Sequence, residues 1–292
     1  MTLFAFIALG LAMLTLGLCT HWRCGQLPLG SVALAGLALG LAGYAGIITF
    51  SATALLLLQA ALALWLSSAS APRRFSAGGW VLLVLLALAT ALHWLPGIRN
   101  PLLLDAQQLT PDAVPYTLYA NFDKGWAGFC LLLALWPTQQ QGQLWQRYRR
   151  GFWPVLPLTV LAALGLALGF GLVIPALKWP EFWLSFVACN LLLTCVAEEA
   201  LFRGVLQRPL RDTLLQRGVS EDIAAWCAIA LVSGLFGLAH LAGGWAYAGV
   251  AAVASLGYGF AYQRSGRIEV AVLSHFAVNL LHFGLLTYPM LR

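Results

Sequence analysis

The stretch EFWLSFVACNLLLTCVAEEALFRGVLQRPL, residues 181–210, decides how the chain is read. It is uncharged from Phe182 to Ala197, then carries Glu198, Glu199 and Arg203 before a basic turn that begins at Arg208. A charge inside hydrocarbon is costly, so ionisable side chains embedded in such a run mark function by default. Glu199 and Arg203 are four apart and can pair on one helix face. Glu198 lies about 100° round a helix from Glu199, so the two carboxylates meet different neighbours. One acid can be neutralised while the other stays available. Asn190, Thr194 and Glu198 recur at intervals of four and form a polar ridge, in which interhelical hydrogen bonding is the expected role of Asn190 and Thr194.

The rest of the chain has the same apolar character. Of its 292 residues 61% are hydrophobic and 9% charged, with a mean hydropathy of +0.84, whereas soluble domains carry roughly 25% charge. The expected fold is all-α: a polytopic membrane helix bundle of about ten transmembrane helices, each able to cross a core of roughly 30 Å. They are expected near 2–20, 28–45, 48–68, 77–95, 117–136, 153–175, 181–207, 223–241, 245–263 and 269–288. The second and third form a tight pair turning near Gly46, and Gly36 and Gly40 make a GxxxG that can admit a close helix. The first helix lacks the basic start and small-residue cleavage site of a secretory signal, so it is expected to be retained.

Lys and Arg counted in alternate loops fix an orientation. Arg23, Arg73, Arg74, Arg147, Arg149, Arg150, Arg208, Arg211, Arg217, Arg264 and Arg267 fall on one side, and Arg99, Lys124, Lys178 and Arg292 on the other. The bias puts the first group in the cytoplasm and both termini outside. The net charge of +6 is therefore read as topology, and no nucleic-acid partner is expected. The connection from Pro96 to Phe122, with Pro101, Pro111 and Pro115, is expected to be a plain external connector. Thr138–Arg150 reads as a cytoplasmic anchor with interfacial Trp145 and Tyr148. Cys19, Cys24, Cys130, Cys189, Cys195 and Cys227 show no CxxC or zinc spacing and are expected to be reduced core residues.

Chemistry-bearing residues concentrate towards the C-terminus. His240 closes the segment FGLAHL, while His275, Asn279 and His282 fall at i, i+4 and i+7 and share one helix face. His21 and His93 stand beside Trp22 and Trp94 and read as interfacial. The segments Glu198-Glu199-Ala200-Leu201-Phe202-Arg203, Phe236-Gly237-Leu238-Ala239-His240 and His275-Phe276-Ala277-Val278-Asn279 correspond in order to EExxxR, FxxxH and HxxxN/D.

On these three motifs, over roughly residues 180–288, the chain resembles the CAAX prenyl endopeptidase and bacteriocin-processing (CPBP, or Abi) intramembrane proteases. The stretch LYANFDK, Leu118–Lys124, is also similar to a segment ahead of this domain in some bacterial members. The resemblance implies an endopeptidase core at 151–292 preceded by subfamily-specific accessory transmembrane helices at 1–150. It implies that Glu198 activates water, that His240 helps hold that water, and that His275 and Asn279 stabilise the oxyanion, with Glu199 and Arg203 in support.

No cofactor is favoured. Zinc is the alternative, with Glu198, His240 and His275 as its ligands, although the chain has no HExxH and an asparagine is a poor zinc ligand. GxGD and GxSxG are also absent. The expected partners are the lipid bilayer and a membrane-associated peptide or protein, in some members lipidated. The expected location is a bacterial inner membrane with the active site towards the cytoplasm. The competing readings are a bacteriocin-immunity type binding partner and an ion-coupled transporter. Confinement of the ionisable residues to the C-terminal third argues against transport.

Overall fold

The computed structural model describes residues 1–18, 28–68, 73–136, 146, 149 and 151–292. The expectations for Cys19, Cys24, His21, Trp22, Arg23, Trp145 and Tyr148, and most of the Thr138–Arg150 anchor, lie outside the described residues. Helices run α1 Thr2–Leu18, α2 Leu29–Tyr44, α3 Phe50–Ser67, α4 Arg73–Ala91, α5 Phe122–Leu135 and α6 Leu156–Gly169. They continue with α7 Trp183–Gln216, α8 Glu221–Ala239, α9 Trp245–Ser265 and α10 Ile268–Leu285. α3, α7, α8 and α10 are long and apolar enough to cross a membrane, and Thr2–Gly17, Leu29–Tyr44, Ser76–Ala91 and Leu156–Gly169 are apolar but shorter. The protein is a mostly helical integral membrane protein.

The expectation of a plain connector between Pro96 and Phe122 needs correction. Strands β1 Leu102–Gln107 and β2 Tyr116–Tyr119 pair in a two-stranded sheet, so the Pro96–Phe122 connection is folded. β2 also takes the first turn expected of the 117–136 helix. Local chemistry explains the change: the Gln108 amide donates to the carbonyls of Pro111 and Ala113, 2.7 and 2.9 Å away, and closes the turn.

The chain divides into two compact units. The first comprises Met1–Leu102, Tyr119–Thr138 and Leu192–Leu201; the second comprises Leu103–Leu118, Gln139–Leu191 and Phe202–Arg292.

In the first unit α5 is the buried element, and α1, α3 and α4 pack on it. On α1 Ala5, Ala8 and Ala12 are buried together with Leu9, Met13 and Leu16, while Leu3, Phe4, Ile7 and Leu11 are exposed. An outer face of large apolar side chains suits lipid, and small residues on the inner one allow close helix packing. The Trp126 indole donates to the Leu56 carbonyl at 3.2 Å and the Trp136 indole to the Leu16 carbonyl at 3.1 Å. The turn between α2 and α3 falls where expected, with Gly46 at φ +71°. Gly36 and Gly40 face open space, so their GxxxG brings no helix close.

In the second unit α9 packs against α6, α8 and α10. Its small residues permit this, because a Cβ at Gly257 would lie 2.0 Å from the Thr159 hydroxyl. Beyond α10 the chain end is laced into two loops. Thr287 N–H donates to Ile174 O (2.9 Å), Leu291 N–H to Leu172 O (2.8 Å) and Arg292 N–H to Asp112 O (3.0 Å).

Lys178 anchors this end by donating its ammonium to the Leu286 carbonyl, and burial holds its pKa down at about 8. Below pH 8 both folded and unfolded chains carry this proton; between about 8 and the ordinary 10.5 the unfolded chain holds more of it, so folding stability rises with pH. We expect thermal unfolding in detergent to show that rise between pH 8 and 10.5 in the wild type. Lys178→Met should lack the increment, and an identical pH response in the two proteins would refute the assignment.

Candidate functional site

The site begins on α7, which is not a uniform helix. π-helical turns at Cys189–Cys195 and Ala200–Gln207 flank one α-helical turn, Val196–Glu199, that carries both glutamates. Such turns are rare and concentrate at functional sites. The helix also extends further than expected, to Gln216.

In the first unit the middle of α7 lies directly against α5. A Cβ at Gly125 would meet Leu193 Cδ2 at 2.6 Å, and one at Gly128 would meet Ala197 Cα at 2.9 Å. This close fit brings the Lys124 ammonium to Glu198 Oε1, where it donates at 2.7 Å. The lysine and glutamate side chains are 21% and 17% exposed, so the pair is largely shielded but within reach of solvent. Glu199 is fully buried.

The start of α5 is braced from behind. Asn100 Oδ1 accepts from Phe122 N–H at 2.8 Å, doing the capping that Asn121 does not. Asp123, 2% exposed, accepts from the Asn100 amide (2.9 Å) and the Lys124 N–H (2.8 Å), and its Oδ2 pairs with His93 Nδ1 at 2.7 Å. His93, expected to be interfacial, is thus tied to a carboxylate.

In the second unit Phe236 of α8 organises both motif histidines. The His240 ring stacks on it at 4.4 Å, and His275 meets its edge at 5.7 Å. His240 Nδ1 lies 2.8 Å from the Phe236 carbonyl, which can only accept. The proton is therefore on Nδ1, and Nε2 is the acceptor in the neutral ring. His275 is buried and stacks at 4.6 Å on Tyr258 of α9. One turn further along α10, the Asn279 amide donates to Asn190 Oδ1 at 3.2 Å, so Asn190 does hydrogen-bond between helices. His282 serves elsewhere, donating from Nε2 to the Thr287 carbonyl at 3.2 Å.

Arg203 is fully buried in the same unit. Its guanidinium donates to Gln207 Oε1 (3.1 Å) and Ser255 Oγ (2.6 Å), and Gln207 donates to the Gly259 carbonyl (3.0 Å). Sequence reasoning missed Lys124, Tyr258, Gln207 and Ser255 as members of these networks. Only Lys124 had a signal, as the last residue of LYANFDK.

Among the described residues no group of three or more His, Cys, Asp or Glu is gathered as a metal site. Cys130, Cys189 and Cys195 are buried as expected; Cys227 is exposed instead of lying in the core.

Residues 179–281 match the family model described as Type II CAAX prenyl endopeptidase Rce1-like. That segment is thus similar to a class of membrane proteases. More particularly, the match is to the CAAX prenyl endopeptidases, the family that the three motifs also resemble. Comparison with curated proteins and with solved structures returns no match.

Proposed function

We propose that the protein is an integral membrane endopeptidase that hydrolyses a peptide bond of a membrane-associated, in some cases lipidated, protein or peptide. Glu198 carries the reading, as a carboxylate within a long apolar helix and inside the segment that matches the protease family. As general base it takes a proton from water, and the resulting hydroxide attacks the peptide carbonyl. His240, whose ring accepts at Nε2, holds the water through one of its hydrogens. The tetrahedral oxyanion takes hydrogen bonds from Asn279 and His275, groups held in place by Asn190 and by the Tyr258 stack. The protonated Glu198 then passes its proton to the departing amine, the carbon–nitrogen bond breaks, and the water oxygen stays in the new carboxyl group.

No metal is assigned a step in this scheme. Glu199 and Arg203 support the glutamate turn. Residues 151–292 form the protease core, and the earlier helices are accessory apart from Lys124. The loop cations orient the protein with Arg208, Arg211 and Arg217 in the cytoplasm of a bacterial inner membrane, with the active site reached from that side.

The test compares protein termini by mass spectrometry in membranes from cells making wild type, cells making Glu198→Ala and cells with empty vector, with both proteins confirmed folded and abundant. New termini confined to wild type are the expected result. Identical termini in all three would favour the immunity-type binding reading and sink this one.

A further inference from the structure

The pairing of Lys124 with Glu198 is not part of any of the three motifs, and the residues around it are arranged for it. Four side-chain hydrogen bonds among His93, Asn100, Asp123 and the backbone of residues 122–124 fix the first turn of α5. Gly125 and Gly128 then let that helix approach the Leu193–Ala197 turn of α7 at backbone distance. The lysine ammonium reaches Glu198 Oε1 at 2.7 Å, a length typical of a strong charge-assisted hydrogen bond. Where hydrocarbon opposes isolated charge, an ammonium in contact with a carboxylate favours its ionised form.

Resting on the protease reading of Glu198, we propose that Lys124 is a positioning residue of the catalytic base: it fixes the orientation of the carboxylate by occupying Oε1. Lys124 acts through Glu198 and need not touch substrate. An accessory-region helix thereby completes the protease core. A structural ion pair alone would leave proteolysis per folded molecule unchanged when it is lost; positioning of the base would not.

Two readouts separate these roles. Dicyclohexylcarbodiimide partitions into membranes and adds to protonated carboxyl groups, leaving a stable N-acylurea that peptide mapping can locate. On the purified full-length protein in detergent at neutral pH, Glu198 should stay unlabelled in wild type and in Lys124→Arg. It should become labelled in Lys124→Met and in Lys124→Gln. In cells, Glu198-dependent termini should fall at least about tenfold in the neutral variants, the scale on which a misplaced general base costs rate, and return to near wild type in Lys124→Arg.

Labelling of Glu198 in wild type to the extent seen in Lys124→Met would overturn the proposal. So would Lys124→Arg labelling as readily as Lys124→Met. If the neutral variants do not accumulate, Lys124→Arg decides alone: an unlabelled Glu198 with termini still formed supports the role, and a labelled one refutes it. The labelling result does not depend on proteolysis, so a wild type that forms no new termini would remove the protease reading while leaving the lysine's hold on Glu198 separately tested.

Discussion

Arg203→Ala should cost the protein about 3–5 kcal/mol, the range for removing one partner from a buried charged network. That is a large part of the ~5–15 kcal/mol that holds a typical fold together, so reduced folded yield in detergent and a clearly lowered unfolding temperature are expected. The argument starts from complete burial. The guanidinium satisfies Gln207 Oε1 and Ser255 Oγ together, and Gln207 in turn holds the Gly259 carbonyl. Truncation leaves those groups without their donor and opens a cavity the size of one of the largest buried side chains in the protein. Lysine keeps the charge but lacks the planar fork needed to reach two acceptors, so Arg203→Lys should be intermediate. Wild-type yield and unfolding temperature in Arg203→Ala would show that the network contributes nothing.

Most of the helical layout could be read from the sequence because hydrocarbon imposes a simple rule: spanning segments are long, apolar and bounded by charge or turn residues. The α2–α3 turn at Gly46 followed from the length of an uncharged run that one span could not hold. The hairpin in residues 102–119 was missed for the opposite reason. Its strands are short and largely exposed, β1 shows no alternation of buried and exposed residues, and the hairpin's closure depends on Gln108 and on the chain end returning near Asp112. Contacts at long separation in sequence leave no local pattern.

The same distinction applies to the site. Glu198, His240, His275 and Asn279 were found because each is an ionisable or amide group where hydrocarbon discourages one, and because their spacing follows helix faces. Lys124 is 74 residues from its partner and looked like a loop cation. The π-helical turns around the glutamates were hardly more legible: neither proline nor glycine interrupts Cys189–Cys195, and Gly204 is the single such residue in Ala200–Gln207. The Gly36/Gly40 motif makes the complementary point. Two glycines at the right interval face open space, whereas Gly125 and Gly128, three apart, form the close contact.

That contact yields the second large effect, for Gly128→Val should separate α5 from α7 and release Glu198. A Cβ at position 128 would meet Ala197 Cα at 2.9 Å, its backbone nitrogen at 3.0 Å and its Cβ at 3.1 Å. Backbone cannot swing aside as a side chain can, so even alanine forces the helices apart by tenths of an ångström, at a cost of about 1–3 kcal/mol. Valine adds two methyl groups at the same point and should exceed that range. Position 125 offers a control within the same helix: its Cβ would meet the Leu193 and Leu9 methyl ends, which can rotate, so Gly125→Ala should be milder. Gly36→Ala, facing open space within a helix, should be neutral or slightly stabilising through helix propensity. Because Lys124 moves with α5, Gly128→Val should also expose Glu198 to carbodiimide labelling as Lys124→Met does, and Gly36→Ala should not. Unfolding temperatures and labelling for the three variants check the order; equal behaviour of Gly128→Val and Gly36→Ala would mean that the α5–α7 contact neither supports the fold nor sets the glutamate.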